Sequence, residues 1–179
     1  MKNNVKRLKN KVPRLLLMLG LILMNIGCDQ ASKNIVRKQV GLYENISLIK
    51  DHLTLTKVEN TGAFLSLGEE LPDMLRFSLL SLMPVAVLAF GLYYLFSHPR
   101  LPLLLQMALC FLIGGGIGNI YDRLRFGAVT DFLHADFGLF RTGVFNFADI
   151  SILIGVSMLL MFNLRKKKEV PFTENKGME

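Results

Sequence analysis

The sequence contains few of the residues on which many enzymes depend. It has only two cysteines and three histidines among 179 residues. Cys28 and Cys110 fall in or at the end of apolar segments, which indicates packing positions rather than a disulfide framework. The histidines, at positions 52, 98 and 134, are too isolated to predict a metal-ligand cluster. No serine–histidine or cysteine–histidine pattern of a nucleophilic hydrolase is apparent either.

Basic residues are scarce in the body of the chain, although the formal net charge is +7. Residues 1–14 carry six Lys or Arg and no acid, and residues 165–179 carry five bases and three acids. The region between these termini is therefore slightly acidic. A nucleic-acid-binding protein needs a basic surface on its folded body, so no nucleic-acid partner is predicted.

Long apolar runs are what the chain has in abundance. Residues 77–97 and 101–121 contain no Asp, Glu, Lys or Arg, and residues 142–164 contain only one charge, that of Asp149. Each run matches the ~20 residues that cross ~30 Å of hydrocarbon. The first apolar run, 15–28, is shorter and reaches full length only if its helix continues to about Arg37. We therefore predict an all-α membrane protein with four transmembrane helices, at about 12–37, 74–97, 101–122 and 146–164.

The two basic termini predict the orientation of these helices. Positively charged segments stay on the cytoplasmic side, and an even number of spans brings both termini there. The predicted organisation is a cytoplasmic arm at 1–11, one membrane domain at 12–164 and a cytoplasmic tail at 165–179. Residues 38–73 and 123–145 then form loops on the outer face.

Two local patterns add detail. Leu53–Val58 alternates with a period of two, which favours a short strand or hairpin outside the membrane. Gly114 and Gly118 have the small-xxx-small spacing that is typical of closely packed membrane helices.

Asp131 and Asp149 are the strongest candidates for catalysis. They flank the loop that returns the chain to the membrane. An ionisable side chain at bilayer depth costs at least ~2.5–3.5 kcal/mol, so its presence points to a function. Two carboxylates held close together share a proton, and such a pair can activate water while polarising a peptide carbonyl. The alternative is a small proton-coupled transporter that uses intramembrane carboxylates, although the internal repeat common in transporters is absent.

Five sequence blocks resemble one known family. Asn119–Arg123, Gly127–Phe132 and Phe145–Asp149 look like the signature of bacterial lipoprotein signal peptidase, the type II signal peptidase. Asp29–Lys33 and Asn60–Ala63 fit the same family. The order of the blocks, their spacing and the four-helix topology match over nearly the full chain.

The resemblance implies an aspartyl endopeptidase of the bacterial cytoplasmic membrane, with its active site near the outer face and a small β-platform there. Such an enzyme removes signal peptides from prolipoproteins by cutting just before the diacylglyceryl-modified cysteine. It implies no metal or cofactor, diacylglyceryl-modified prolipoproteins and membrane lipids as partners, and a monomer. The catalytic pair would be Asp131 and Asp149. The residues that bind substrate or support the pair would be Asp29, Lys33, Asn60, Gly62, Asn119, Asp122, Arg123, Asn146 and Ala148.

Some positions keep alternative interpretations. Asp122 and Arg123 could form an ion pair that fixes a helix end, and Asp29 and Lys33 could form one across a helical turn. After Asn60–Ala63 the family usually has a small residue and then an aromatic one, whereas here Phe64 comes first and Leu65 follows, which affects the expected pocket shape. Finally, the segment ending at Cys28 has some likeness to a lipoprotein signal.

Overall fold

Four long helices account for most of the fold. The computed structural model describes residues 11–50, 52–62 and 70–168. Within them, four helices are long and apolar enough to cross a membrane, which confirms the predicted fold class. They are α1 (Lys11–Gln39), α2 (Asp73–Ser97), α3 (Leu103–Phe126) and α4 (Phe147–Lys168). Nearly all of the 1–11 arm, most of the 165–179 tail, Ala63 and the Phe64–Leu65 pair lie outside the described residues.

Two helices differ from the sequence prediction for identifiable reasons. α3 continues a full turn past residue 122, since Asp122 and Arg123 find partners within the protein, and Gly127 caps its end. Gly127 has a φ of 79°, the left-handed conformation that favours glycine at a helix end. In α2, residues Ser78–Leu82 form a π-helical turn just before Pro84. Proline lacks an N–H and clashes with the carbonyl four residues earlier, and the wider turn accommodates it.

A small antiparallel sheet lies at the end of the helical bundle. Its strands β1 (Asn45–Ile49), β2 (Leu53–Asn60), β3 (Val129–Asp136) and β4 (Arg141–Phe145) pair in chain order. The alternating pattern at Leu53–Val58 correctly indicated the β1–β2 hairpin. The sequence pattern missed β3 and β4, which lie in the segment that we assigned to an outer loop.

The missed strand β3 has no alternating pattern because both of its faces are covered. Its residues 129–132 are all buried. Phe132 packs with Val36 and Val40 of α1 in one apolar cluster, and its ring contacts Phe147 edge-on at 5.7 Å. This packing fixes the sheet on α1 and on the start of α4. The central strand of the sheet is thereby held against the membrane helices.

Glycines allow α3 to approach its neighbours closely, as the small-xxx-small spacing predicted. A Cβ atom at Gly118 would lie 2.5 Å from the Asp29 Oδ2 atom, and one at Gly114 would lie 2.7 Å from the Asn25 Cβ atom. Both contacts are with α1. Any larger residue would therefore push α1 and α3 apart.

We expect Gly118→Ala to destabilise the protein by about 1–3 kcal/mol, the usual cost of overpacking a tight interior. The added methyl group would collide with the Asp29 carboxylate. Gly27→Ala is the matched control, because a Cβ atom there meets nothing within 4 Å. Thermal unfolding in detergent measures both effects. Equal unfolding temperatures for the two variants would contradict the assigned role of Gly118.

Candidate active site

Asp131 and Asp149 come together at the junction between the sheet and the helices. Asp131 lies on β3, and Asp149 lies in the first turn of α4. Both line one cavity of about 20 Å³, whose other lining residues are Asn60, Asn119, Arg123, Val129 and Val144. A site for one water molecule needs roughly 10–15 Å³, so this cavity can hold a single water between the carboxylates.

Asn146 connects the two carboxylates and also caps a helix. Its side-chain oxygen accepts a hydrogen bond from the Asp149 backbone N–H at 3.0 Å. In return, the Asp149 Oδ2 atom accepts the Asn146 backbone N–H at 3.1 Å. This reciprocal pair is a capping box that starts α4. The Asn146 side-chain Nδ2 atom then donates to the Asp131 Oδ1 atom at 2.6 Å, so one residue orients both acids.

The end of β2 holds the other oxygen of Asp131. The Asn60 Nδ2 atom donates to the Asp131 Oδ2 atom at 2.9 Å. The Gly62 backbone N–H donates to the Asn60 side-chain oxygen at 3.0 Å, which fixes the orientation of that amide. The Arg123 Nη2 atom in turn donates to the Gly62 carbonyl oxygen at 2.9 Å. Gly62 and Arg123 therefore act on Asp131 through Asn60 and the turn that follows β2.

Lys33 is the centre of a buried network behind Asp149. Its side chain is 0% exposed, and its Nζ atom lies 2.8 Å from Asp29 Oδ2, 3.0 Å from Asp122 Oδ2 and 2.9 Å from Asn119 Oδ1. These three contacts use all three N–H groups of the ammonium. Because the Asn119 oxygen faces Lys33, its amide Nδ2 atom donates to the Asp149 Oδ1 atom at 2.8 Å. Lys33 thus orients Asp149 through Asn119.

The remaining predicted residues complete this network. Asp29 accepts the Ala148 backbone N–H at 2.9 Å, at the positive end of the α4 dipole. The Asp29–Lys33 ion pair expected from the four-residue spacing is present. Asp122 and Arg123, however, do not form the ion pair that was considered as an alternative. Asp122 is bound by Lys33 and Arg37, whereas Arg123 points to Gly62.

Sequence reasoning missed three members of the network: Gln30, Arg37 and Thr130. The Gln30 Nε2 atom lies 3.0 Å from Asp29 Oδ2 and 3.1 Å from Asp122 Oδ1. The Arg37 Nη2 atom lies 2.7 Å from Asp122 Oδ1, so two acids and two bases balance in this interior. Thr130 is fully buried, donates its backbone N–H to Asp122 and accepts a hydrogen bond from Arg37 Nε at 2.8 Å. A signal was available for Arg37, since it lies one helical turn after Lys33 and therefore on the same face of α1.

The surroundings of Asp131 favour its protonated form. The pKa of the Asp131 carboxyl is raised to about 6, since burial and the nearby Asp149 charge raise it more than the hydrogen bonds from Asn60 and Asn146 lower it. Burial has the largest effect because a carboxylate loses its hydration there. A carboxyl with this pKa can hold a proton beside an ionised partner. Within the described residues, no cluster of three or more His, Cys, Asp or Glu side chains is suited to bind a metal.

Comparison with known proteins identifies the family. The family described as signal peptidase (SPase) II matches residues 21–165, which is most of the chain. A lipoprotein signal peptidase of Streptococcus pyogenes serotype M1 is 38% identical over 146 residues, covering 82% of this chain and 91% of the relative. The chain belongs to the signal peptidase II family. The lipoprotein signal peptidase of S. pyogenes serotype M5, strain Manfredo, matches with the same identity and coverage.

Solved structures agree with the fold of this signal peptidase II family member. A bacterial membrane enzyme solved by the in meso method at 2.3 Å superposes with a TM-score of 0.78 at 22% identity, covering 91% of this chain and 94% of that one. A second, at 1.9 Å, gives a TM-score of 0.71 at 24% identity, covering 83% and 93%. The predicted family, the aspartic-peptidase class and prolipoprotein signal-peptide removal are confirmed. The transporter alternative is not supported.

Proposed function

We propose that Asp131 and Asp149 are the catalytic pair with which this signal peptidase II family member cuts prolipoproteins just before the diacylglyceryl-modified cysteine. The observation that carries the proposal is that both carboxylates line one cavity with room for a single water. One ionised carboxylate takes a proton from that water. The other, protonated, donates to the oxygen of the scissile carbonyl as the water attacks.

We assign the shared proton to Asp131. Its pKa is raised to about 6 by burial and by the Asp149 charge. Asp149 is then the base, held by the Asn119 amide and by the Asn146 backbone N–H. Because the two acids interact, the pKa values obtained from a pH–rate profile describe the pair as a whole and not either residue alone. The supporting residues position these two groups, through Asn60 and Asn146 for Asp131 and through Lys33 and Asn119 for Asp149.

The proposed location of the enzyme is the bacterial cytoplasmic membrane, with both termini in the cytoplasm and the active site near the outer face. The supporting feature is that the sheet and both aspartates lie at the end of the bundle where α1 and α3 finish, opposite the start of α1, which the basic segment precedes in the sequence. Water is available at that interface for hydrolysis. A substrate with two acyl chains can reach the same depth laterally from the lipid. We further propose that a monomer suffices.

A cleavage assay tests this function. In lipid or detergent, the full-length protein should cut a lipobox peptide carrying diacylglyceryl-cysteine, and the new N-terminus should be that cysteine. The same peptide without the diacylglyceryl group is the matched control and should remain uncut. Mass spectrometry of the products gives both results. Failure to cut either peptide would disprove the proposed function, and equal cleavage of both would disprove the lipid requirement.

We expect Asn60→Ala to shift the alkaline limb of the pH–rate profile to higher pH. The Asn60 hydrogen bond lowers the pKa of Asp131, so its loss lets the shared proton persist to higher pH. A hydrogen bond of about 1 kcal/mol corresponds to a shift of roughly 0.7 pH unit. The position of this limb on the pH axis is obtained from kcat/KM measured across pH. Asn45→Ala, at an exposed asparagine of β1, is the control, and a downward shift in Asn60→Ala would contradict the assignment.

A further inference from the structure

A second, larger cavity opens between the last turns of α1 and α3. Its volume is about 670 Å³, and it shares no lining residue with the cavity between the two aspartates. Its walls include Arg37 and Lys38 from α1, and Tyr121, Arg125 and Phe126 from α3. The proposed peptidase mechanism makes no use of this cavity.

The charge of this cavity is uniformly positive. Three of its lining residues are bases and none is an acid. Arg37 is committed to Asp122, but Lys38 and Arg125 form no ion pair with any described residue. The Arg125 guanidinium carbon lies 5.6 Å from the centre of the Phe126 ring, and that of Arg37 lies 4.1 Å from it. Contact with an aromatic face positions a guanidinium while leaving N–H groups available for an anion.

The position of the cavity limits what anion it can meet. It lies near the ends of two helices that are long and apolar enough to cross a membrane, and the proposed orientation of these helices puts it at the depth of the lipid headgroups. Tyr121 lines it there, and tyrosine is enriched at this interface. Bases also occur at helix C-termini simply because they complement the helix dipole. The helix dipole alone does not account for bases from two helices meeting around one open cavity.

We propose that this cavity binds the phosphate of an anionic phospholipid headgroup, with Lys38 and Arg125 as its main contacts. Arginine binds phosphate oxygens through paired N–H groups, and lysine adds a point charge. The diacylglyceryl-cysteine of the proposed substrate carries no phosphate, and this cavity shares no lining residue with the one between the two aspartates. Arg37 is left unchanged in the test because it also holds Asp122, which shares Lys33 with the network behind Asp149.

The test compares two double variants of the full-length protein that remove the same charge. Lys38→Gln with Arg125→Gln alters the cavity, and Lys50→Gln with Lys57→Gln alters the sheet. Native mass spectrometry measures binding of short-chain phosphatidylglycerol and phosphatidylcholine. The cavity variant should lose phosphatidylglycerol affinity by roughly tenfold or more, since each surface base contributes ~1 kcal/mol. Phosphatidylcholine binding should be little changed, and the sheet variant should bind both lipids normally.

The remaining outcomes are equally decisive. Equal loss in both variants would mean a general surface-charge effect and would overturn the proposal. Unchanged binding with a lower unfolding temperature would mean that the two bases only stabilise helix ends. Displacement of the lipid by millimolar inorganic phosphate would identify a free-phosphate site instead. If the double Gln variant does not fold, the single variants Lys38→Gln and Arg125→Gln replace it, and unchanged phosphatidylglycerol binding in both would also overturn the proposal.

Discussion

Replacing either Asp131 or Asp149 by asparagine is expected to lower the rate of lipobox-peptide cleavage by roughly 10²–10⁴-fold or more. Asparagine has nearly the same shape as aspartate, but it can neither accept a proton from water nor donate one as a carboxylic acid does. Because the two acids would work as a unit on one water, the double variant should be no slower than either single variant. Steady-state cleavage of the diacylglyceryl peptide measures all three.

The control for these variants is Asp136→Asn. Asp136 lies on the same strand as Asp131, but it pairs with Arg141 at the surface and lines neither cavity. Its replacement should change the cleavage rate by less than about twofold, as an exposed ion pair contributes little. Thermal unfolding must show that all the variants remain folded. A near-normal rate in folded Asp131→Asn or Asp149→Asn would remove that residue from the catalytic pair.

Lys33→Met is expected to be the most destabilising single substitution in the network. It leaves Asp29 and Asp122 buried beside each other with only Arg37 to balance them, and both aspartates are 0% exposed. Removing one partner from a buried charge network typically costs about 3–5 kcal/mol. Activity should fall as well, because Asn119 loses the contact that directs its amide towards Asp149. Thermal unfolding and cleavage assays in the same detergent measure the two effects.

A second substitution separates charge from packing at this site. Adding Asp122→Asn to Lys33→Met restores the charge balance, so part of the lost stability should return while activity stays low. Lys57→Met, at a partly exposed position on β2, is the matched control and should cost little. A loss below about 1 kcal/mol in Lys33→Met would contradict the ion-pair network around Lys33.

The sequence predicts the helices better than the sheet, for a physical reason. An uncharged apolar run of about 20 residues has the length of a transmembrane helix and is far longer than a buried strand needs to be. β2 is half covered and alternates, and the hairpin containing it was recognisable. β3 lies between β2 and β4 in the sheet and also packs against α1 and α3, so its residues 129–132 are all buried and it carries no alternating pattern for a sequence argument to detect.

Within the site, spacing along a helix was a better guide than adjacency. Asp29 and Lys33 are one turn apart, and they do form an ion pair. Asp122 and Arg123 are adjacent, and successive helical residues point in different directions, so they serve different parts of the site. The link from Lys33 through Asn119 to Asp149 joins three helices. Only the folded chain reveals a connection of that kind.

The three bonds of Lys33 also have a consequence for how this protein is made. Its α1 helix leaves the ribosome before α3 and enters the bilayer carrying Asp29 and Lys33, which can neutralise each other within the helix. The other two partners of Lys33, Asn119 and Asp122 on α3, are synthesised only later. We therefore expect α1 to remain beside the insertion machinery until α3 emerges. Assembly of the catalytic centre would then be one of the last events of biogenesis.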